Sequence, residues 1–306
     1  MILLNQMVIL FLIMIAGYFA RKRNIISESD CGGISRLVIN VANPALIISA
    51  GINPVEVLEG RELATAALLS AGSFLFLIIA SFAVTSIIRP DEKNRGTYRA
   101  MTVFSNIGFI GFPIISAAYG ANALLYASFF QIPYNVLVYT WGVSALGAGS
   151  GKKNGAVLSK IINAGVVSCA VTLALYLSRI PVPGFLETVT KYLANLTAPL
   201  SMMVIGASVV NMNFKELFGD VRLFVYCGIR QLLLPVAGVL IARLVGVNDP
   251  KLLGVTMVML ACPVGAMMTM LSREYGGDYE LASRGVALST IMSVATIPAV
   301  SMILGV

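Results

Sequence analysis

The sequence predicts an all-α integral membrane protein with ten transmembrane helices, arranged as two inverted five-helix repeats with broken, crossing helices 4 and 9. The first reason is composition. Of the 306 residues, 58% are hydrophobic and only 11% are charged, whereas a soluble domain carries about 25% charged residues. The second reason is that apolar stretches recur along the whole chain, and the third is that two motifs of the first half return in the second half.

Ten apolar stretches are candidates for membrane helices, because a spanning helix needs about 20 mostly apolar residues. The joints between them carry turn and charge signals, for example RPDEKNRG at 89–96 and IPVPG at 180–184. The predicted helices cover residues 2–20, 33–52, 64–88, 100–119, 121–147, 156–178, 190–210, 223–246, 252–272 and 282–305.

The distribution of lysine and arginine predicts the orientation of these helices. Fifteen of these residues lie in odd-numbered joints and five in even-numbered joints. An excess of positive charge marks the cytoplasmic side of a membrane protein. The odd joints are therefore predicted to be cytoplasmic, and ten helices then place both termini on the extracytoplasmic side of a multi-pass protein.

An internal repeat relates the two halves. The segment NVANPALIISAG from Asn40 resembles NLTAPLSMMVIGA from Asn195, 155 residues later, and the pair Tyr119-Gly120 returns as Tyr275-Gly276, 156 residues later. Five predicted helices separate the copies, so the second copy enters the membrane upside down. The predicted units are residues 1–148 and 155–306, joined by the flexible segment GSGKKNG. Inverted repeats with broken helices are typical of secondary transporters.

Predicted helix 9 contains a break signal in LACPVGAMM at 260–268. Pro263 has no N–H and disfavours helical geometry at Cys262, and Gly265 adds backbone freedom. In predicted helix 4, the segment SNIGFIGFP at 105–113 supplies an asparagine, two glycines and Pro113 for the same purpose. On the Tyr-Gly alignment, Asn106 is equivalent to Cys262 and Gly108 to Val264.

A broken helix in lipid persists only where protein, water or a ligand satisfies the freed backbone groups. The N-termini of two half-helices carry partial positive charge and can hold an anion without a buried cation. The alternative is a proline kink used only for packing, but breaks at equivalent positions of both repeats favour a binding site. The predicted site residues at the breaks are Asn106, Ile107, Gly108, Cys262, Pro263, Val264 and Gly265.

Further polar candidates lie on neighbouring helices. An asparagine in a membrane helix needs a hydrogen-bond partner. Its side chain either bonds a neighbouring helix or lines a ligand cavity, and both alternatives stay open here. Residues at i and i+4 share a helix face, so a pair with this spacing in helix 5 predicts a wet, inward-facing stripe. The candidates are Asn40, Asn43 and Pro44 in helix 2, Gln131 and Asn135 in helix 5, and Asn195 and Pro199 in helix 7.

Arg230 is the one basic residue predicted inside the hydrocarbon. It follows Arg222 by eight residues, which is about 12 Å along a helix in a hydrocarbon layer about 30 Å thick. Two roles are predicted for it, attracting an anion or fixing the carbonyl ends at the crossing of helices 4 and 9. The alternative is that its side chain reaches back to the cytoplasmic surface.

The acidic residues bear on energy coupling. All fourteen Asp and Glu fall in joints or at predicted helix ends, and the chain has no histidine. A proton-coupled mechanism would need Glu62, Glu187 or the acid group of the substrate, whereas a sodium site would use neutral oxygens. The membrane potential alone could also expel an anion. The coupling ion, H⁺ or Na⁺, therefore stays open.

Enzyme chemistry is not indicated. Without histidine there is no Ser-His pair and no HExxH motif. The four cysteines show no CxxC spacing, so neither disulfides nor a metal site is predicted. The basic clusters lie between apolar runs, which is typical of membrane orientation rather than of a nucleic-acid surface. We expect no catalytic residues, no cofactor and no nucleic acid partner.

Several segments together resemble the auxin efflux carrier family, and in particular its bacterial malonate or auxin-type permeases. They are NVANPALI, FSNIGFIGFPI, FFQIPYNVLVYTWG, IRQLLLP and ALSTIMSVATIP. The resemblance extends over essentially the whole chain. It implies a relationship by fold to plant PIN carriers and bile acid:sodium symporters, and a location in the bacterial inner membrane. It also implies an elevator mechanism, with helices 1, 2, 6 and 7 as scaffold and helices 3–5 and 8–10 as transport domain.

The predicted function is a secondary transporter that moves a small organic anion, a carboxylate, dicarboxylate or auxin-like molecule, across the lipid bilayer by alternating access. The alternative is a passive anion channel or a membrane sensor without alternating access.

Two features depart from the plant carriers. The joint between the halves is short, and predicted helix 3 carries no acidic residue, which argues against auxin itself. Whether the carrier works as a homodimer is left open.

Overall fold

A computed structural model describes residues 2–53, 60–120, 122–147, 161–210, 217 and 219–306. The secondary structure of these residues is helical, apart from one isolated bridge between Ser105 and Val264. The α-helices are α1 Ile2–Lys22, α2 Glu28–Leu37, α3 Asn43–Ser49, α4 Gly60–Ile88, α5 Glu92–Val103, α6 Phe112–Tyr119, α7 Ala123–Leu137, α8 Val143–Gly147, α9 Ala164–Ser178, α10 Gly184–Asn195, α11 Thr197–Ser208, α12 Val221–Gly228, α13 Leu234–Leu244, α14 Pro250–Ala261, α15 Met267–Tyr275 and α16 Tyr279–Leu304.

Four π-helical segments join several of these helices into longer runs. They are π1 Val38–Ala42, π2 Ile107–Gly111, π3 Val138–Gly142 and π4 Ile229–Leu233. A π segment widens the helix by one residue per turn and is frequent at functional sites. The runs α2–π1–α3 and α12–π4–α13 are therefore continuous through the segments that contain Asn43 and Arg230.

The all-helical, membrane-compatible part of the prediction is confirmed. In the part of the chain that the structure describes, four helical runs are long and apolar enough to cross a membrane, Glu28–Ser49, Gly60–Ile88, Val221–Leu244 and Tyr279–Leu304. Three shorter apolar helices accompany them, Ile107–Tyr119, Ala164–Ser178 and Pro250–Ala261. The ten-helix inverted topology stays a prediction.

Capping residues set the starts of several helices. The side chains of Asp220, Asp249 and Asp278 accept hydrogen bonds from the first-turn N–H groups of α12, α14 and α16, and Asn163 does the same for α9. Such caps satisfy N–H groups that have no partner within the helix. Because Asn163 caps α9, that helix begins at Ala164 rather than near the predicted residue 156. The predicted boundary between the two halves, at 148–155, lies outside the described residues.

Glycines bring helix backbones into direct contact at two equivalent places. Gly206 of α11 lies against the Met14 carbonyl of α1, so a Cβ atom at Gly206 would overlap that oxygen. Gly51, after α3, lies against Thr172 of α9, where a Cβ atom would be 2.5 Å from the Thr172 carbonyl oxygen. Gly206 follows Gly51 by 155 residues, whereas Thr172 follows Met14 by 158 residues, about one helical turn out of register. The contact of α11 with α1 and that of α3 with α9 therefore recur at close to the spacing of the sequence repeat.

We predict that Gly206→Ala lowers the free energy of unfolding by about 1–3 kcal/mol, because the added methyl group forces α1 and α11 apart. Thermal unfolding of the detergent-purified protein measures this effect. Gly72→Ala is the matched control, since Gly72 lies within α4 with open space around it, and alanine is the better helix former. Equal melting temperatures for the two variants would contradict the close packing of α1 on α11.

Candidate functional site

Two helix breaks lie against each other at the centre of the candidate site. The first break, residues 104–106, separates α5 from π2, and the second, residues 262–266, separates α14 from α15. The backbone N–H of Asn106 donates to the Pro263 carbonyl oxygen over 2.8 Å, and the N–H of Gly265 donates to the Phe104 carbonyl oxygen over 2.9 Å. Each break therefore satisfies backbone groups of the other, which lipid could not do.

The sequence explains the second break directly. Cys262 adopts an extended backbone with φ −51° and ψ 143°, as expected before a proline that disfavours helical geometry. A Cβ atom at Gly265 would lie only 3.0 Å from the Ser105 carbonyl oxygen. The close approach of the two breaks therefore favours glycine at position 265.

Of the residues predicted to break helix 4, only Asn106 lies at the first break. Pro113 lies inside the continuous helix Ile107–Tyr119, just after π2, and Gly108 and Gly111 lie inside π2. The interruption comes before all three residues, at Phe104–Asn106. Asn106 initiates the new half-helix, because its side-chain Oδ1 accepts a hydrogen bond from the Phe109 N–H at 3.3 Å.

The Asn106 side chain keeps a free donor. It is 5% exposed, and its Oδ1 atom is engaged as the cap of π2. Its Nδ2 atom is buried and has no hydrogen-bond partner. An unpaired buried amide is unfavourable, so this N–H₂ group is available to a ligand.

A second layer of polar side chains supports the breaks. The Val264 N–H donates to Ser289 Oγ of α16 over 3.0 Å, and Gln231 Nε2 donates to the Ser289 carbonyl oxygen over 2.8 Å. Arg230 Nη1 donates to the Leu260 carbonyl oxygen over 2.6 Å, and Nη2 donates to Ser105 Oγ. Arg230, Gln231 and Ser289 are each 0% exposed, so this network lies behind the breaks.

A cavity of about 110 Å³ adjoins both breaks. Asn106 and Phe109 contribute the N-terminal end of the first half-helix, and Ala266 contributes that of the second. The N-terminus of α15 at Ala266 has no side-chain cap. The remaining lining residues come from α2, α11 and α16, and are Ser35, Val204, Ile205, Ser208, Val209, Val286, Ala287 and Thr290. None of the lining residues that the structure describes is charged.

Several sequence-predicted residues come together here. Asn43, at the start of α3, places its Nδ2 atom 3.1 Å from the position of a Cβ atom on Gly108. Its Oδ1 atom is buried without a hydrogen-bond partner. The Cys262 thiol lies against Gly111. Pro44 follows Asn43 in the first turn of α3. Ile107 begins π2, Pro263 and Val264 belong to the second break, and Arg230 supports the breaks. Of the predicted site residues, only Asn106 lines the cavity.

The other predicted residues lie elsewhere. Asn40 is exposed and donates to the carbonyl oxygen of Arg36 in its own helical run. Asn195 is exposed and Pro199 half-buried, and neither lines the cavity. Asn135 accepts a hydrogen bond from Asn163 over 2.7 Å and donates to the Gln131 carbonyl oxygen. The predicted stripe on α7 is therefore buried against the start of α9, not in this cavity.

Sequence reasoning missed the hydroxyl groups of the site. Ser105 and Ser289 accept hydrogen bonds from Arg230 and Val264, and Ser35, Ser208 and Thr290 line the cavity. A signal for two of them was present in ALSTIMS at 287–293, where serine and threonine interrupt an apolar helix. Serine and threonine are common in membrane helices as packing residues, so the signal was weak.

Comparison with known proteins decides the family. The profile of the family described as "Membrane transport protein" matches residues 2–157 and 153–301. The chain belongs to this membrane transport protein family. The resemblance to the auxin efflux carrier family is thereby confirmed. As a member of a transporter family, the protein is membrane-embedded and is not an enzyme.

Three relatives are similar over most of the chain. An uncharacterized transporter of Methanothermobacter thermautotrophicus is 22% identical over 95% of each chain. An uncharacterized transporter of Methanocaldococcus jannaschii is 24% identical over 97% of each chain. A protein of Rhizobium meliloti, provisionally named a malonate transporter, is 24% identical over 87% of this chain and 84% of its own length.

We predict that Ser289→Ala lowers the free energy of unfolding by about 1–3 kcal/mol, because it leaves the Val264 N–H buried without an acceptor. Ser293→Ala is the control. Ser293 lies one turn further along α16, and its hydroxyl donates only to the Thr290 carbonyl oxygen of the same helix. Thermal or denaturant unfolding in detergent separates the two variants. A neutral Ser289→Ala would show that the break does not depend on this hydroxyl.

Proposed function

We propose that the protein is a secondary transporter that binds a small organic anion in the cavity beside the two helix breaks and moves it by an elevator-type alternating-access mechanism. One observation carries the proposal. The unpartnered Asn106 amide and the uncapped N-terminus of α15 lie at the same cavity. Both are donors, and together they favour a ligand that only accepts hydrogen bonds.

The electrostatics of the cavity favour a negative ligand. The N-terminus of a helix carries about half a positive charge and points N–H groups outward. Two half-helices begin at this cavity, at Asn106 and at Ala266. Because none of the described lining residues is charged, these backbone dipoles are the nearest source of positive potential along the cavity wall. A carboxylate bound there would replace its water shell with fixed N–H groups.

The size of the cavity favours a short carboxylate. An engineered protein cavity of about 150 Å³ admits benzene, a ligand of six heavy atoms. The cavity here, at about 110 Å³, suits an anion of similar or smaller size. A three-carbon dicarboxylate is consistent with the provisional name of the Rhizobium meliloti relative, and we take malonate as the first probe. One carboxylate would bind the Asn106 amide and the other the N-terminus of α15.

The proposed topology has ten transmembrane helices in two inverted five-helix repeats. Helix 4 would consist of α5, π2 and α6, and helix 9 of α14 and α15, each broken where the two cross. The recurrence of the Gly51 and Gly206 contacts at close to the repeat spacing of 155 residues supports this arrangement. With fifteen lysines and arginines in odd-numbered joints, both termini would lie outside the cytoplasm of a bacterial inner membrane.

The position of the cavity supports the division of the helices into a scaffold and a transport domain. Ser35 and Val204–Val209 would belong to the scaffold helices 2 and 7, whereas the breaks and α16 would belong to the transport domain. A ligand between them would be bound at the sliding interface. Movement of the breaks relative to α2 and α11 would then expose the cavity to one side of the membrane at a time.

The coupling scheme that we favour is driven by the anion gradient and the membrane potential. Hydrogen bonds from Lys191 and Asn53 hold the pKa of Glu187 below its usual value. Glu187 therefore stays ionised near neutral pH and is a poor proton carrier. Each negative charge expelled gains about 2.3 kcal/mol per 100 mV of membrane potential. An anion carrier of this design would need no protein carboxylate at the centre of the membrane.

We predict that Asn106→Asp lowers malonate uptake into proteoliposomes by at least about tenfold, since it removes the donor and adds a repulsive charge. Aspartate keeps an oxygen to cap π2, so the fold should survive. Asn40→Asp is the matched control, because Asn40 is exposed and lies away from the cavity. Wild-type protein should also show counterflow exchange of labelled malonate.

Two outcomes would contradict the proposal. Equal uptake by the Asn106→Asp and Asn40→Asp variants would remove Asn106 from the site. Flux that does not saturate and shows no counterflow, across a panel of short mono- and dicarboxylates, would favour a passive channel over a carrier.

A further inference from the structure

Arg230 is a fully buried cation with an unusual set of partners. It lies in π4 and is 0% exposed. Among the residues that the structure describes, no aspartate or glutamate forms an ion pair with it. A buried charge without compensation is strongly unfavourable. Its partners must therefore supply the compensation, and they are a backbone carbonyl and a hydroxyl group.

These partners belong to the two different breaks. Nη1 of Arg230 donates to the carbonyl oxygen of Leu260, in the last turn of α14 where the second break begins. Nη2 donates to the hydroxyl group of Ser105 in the first break. One planar guanidinium therefore links the helix end at the second break to the first break, and Arg230 does not line the cavity.

The C-terminal end of a half-helix is a natural cation site. Its last carbonyl groups lack partners within the helix and carry about half a negative charge. In transporters with broken helices, such carbonyl ends commonly coordinate a coupling cation. Here the Leu260 carbonyl oxygen is already occupied by a guanidinium that is covalently part of the chain.

We propose that Arg230 is an internal cation that holds the two helix breaks together, in the place where a coupling metal ion would otherwise bind. The bridge between the breaks then forms without sodium and without substrate. The proposal concerns the bridge itself and does not depend on which anion the cavity binds.

Two consecutive side chains of π4 contact both breaks and α16. Arg230 and Gln231 are consecutive residues of π4, and both are fully buried. Arg230 contacts the breaks, and Gln231 donates to the Ser289 carbonyl oxygen of α16. Ser289 in turn accepts from the Val264 N–H. Lysine would replace Arg230 only in part, because its ammonium group is a compact point charge without the rigid planar fork of the guanidinium.

Hydrogen–deuterium exchange in nanodiscs tests the proposal directly. The readout is the exchange rate of the peptides that contain Asn106 and Gly265, whose N–H groups form the bridge. We expect Arg230→Ala to raise this rate by at least about tenfold and Arg230→Lys to restore it only in part. Arg243→Ala is the matched control, because Arg243 donates in the same way to the Leu304 carbonyl oxygen, away from the breaks. It should leave both peptides unchanged.

Chemical rescue distinguishes a role of the Arg230 charge from a role of the Arg230 side-chain volume. Guanidinium chloride at low, non-denaturing concentration should restore protection in Arg230→Ala, whereas urea, which has the same shape without charge, should not. Equal rescue by both compounds, or rescue by neither in a folded variant, would overturn the proposal.

A wild-type measurement covers the case in which Arg230→Ala does not fold. Exchange of the two peptides should be the same in sodium, potassium and choline chloride, with no carboxylate present. Protection of the wild-type bridge that appears only in sodium would mean that a metal ion, rather than Arg230, holds the breaks.

Discussion

The mutual hydrogen bonding of two interrupted helices is the constraint on which the rest of this structure depends. Unwound backbone in hydrocarbon has no water to bond, and each unsatisfied group is unfavourable by several kcal/mol. The bonds from Asn106 to Pro263 and from Gly265 to Phe104 remove this penalty at both breaks together. Neither break could persist alone, so the two half-helix N-termini are necessarily brought to one place.

The polar groups around the bridge divide into two sides with different roles. On one side Arg230, Gln231 and Ser289 are fully buried and satisfy the backbone of the breaks. On the other side the Asn106 amide, which lacks a protein partner, and the N-terminus of α15, which lacks a side-chain cap, adjoin a cavity. In the proposed mechanism, support and binding are thereby separated, and the cavity would bind and release a ligand while the bridge stays intact.

Much of this arrangement could be predicted from the sequence, because helix-breaking chemistry is local. α14 ends at Ala261, immediately before the Cys262-Pro263 pair that predicted a break. The first break was harder to predict. Its signal was a polar cap at Asn106 rather than Pro113, which lies inside the helix that follows the break.

The limits of prediction lie in tertiary contacts. The i, i+4 spacing of Gln131 and Asn135 predicted a wet, inward-facing stripe, but spacing alone does not say which neighbour that face contacts, and here Asn135 contacts the start of α9. Asn40 and Asn195 occupy equivalent repeat positions, yet both are exposed. The bridge pairs Ser105 with Val264, 159 residues apart, whereas the Tyr-Gly motifs are 156 apart. The segment from the bridge residue to the Tyr-Gly motif is therefore three residues longer after the first break, a difference that no motif alignment could reveal.

Disulfide trapping across the bridge measures the central contact most directly. Residues directly opposite in a non-hydrogen-bonded antiparallel pair have Cα atoms about 4.5 Å apart, within the range that a disulfide requires. In a chain without its four native cysteines, Ser105→Cys with Val264→Cys should cross-link under mild oxidation. After cleavage at a protease site placed in the joint at 149–155, the two halves should then stay linked until they are reduced. Asn106→Cys with Val264→Cys should remain largely uncross-linked, because successive side chains of an extended segment point to opposite faces. Equal behaviour of the two pairs, or no cross-link in either folded variant, would contradict the account.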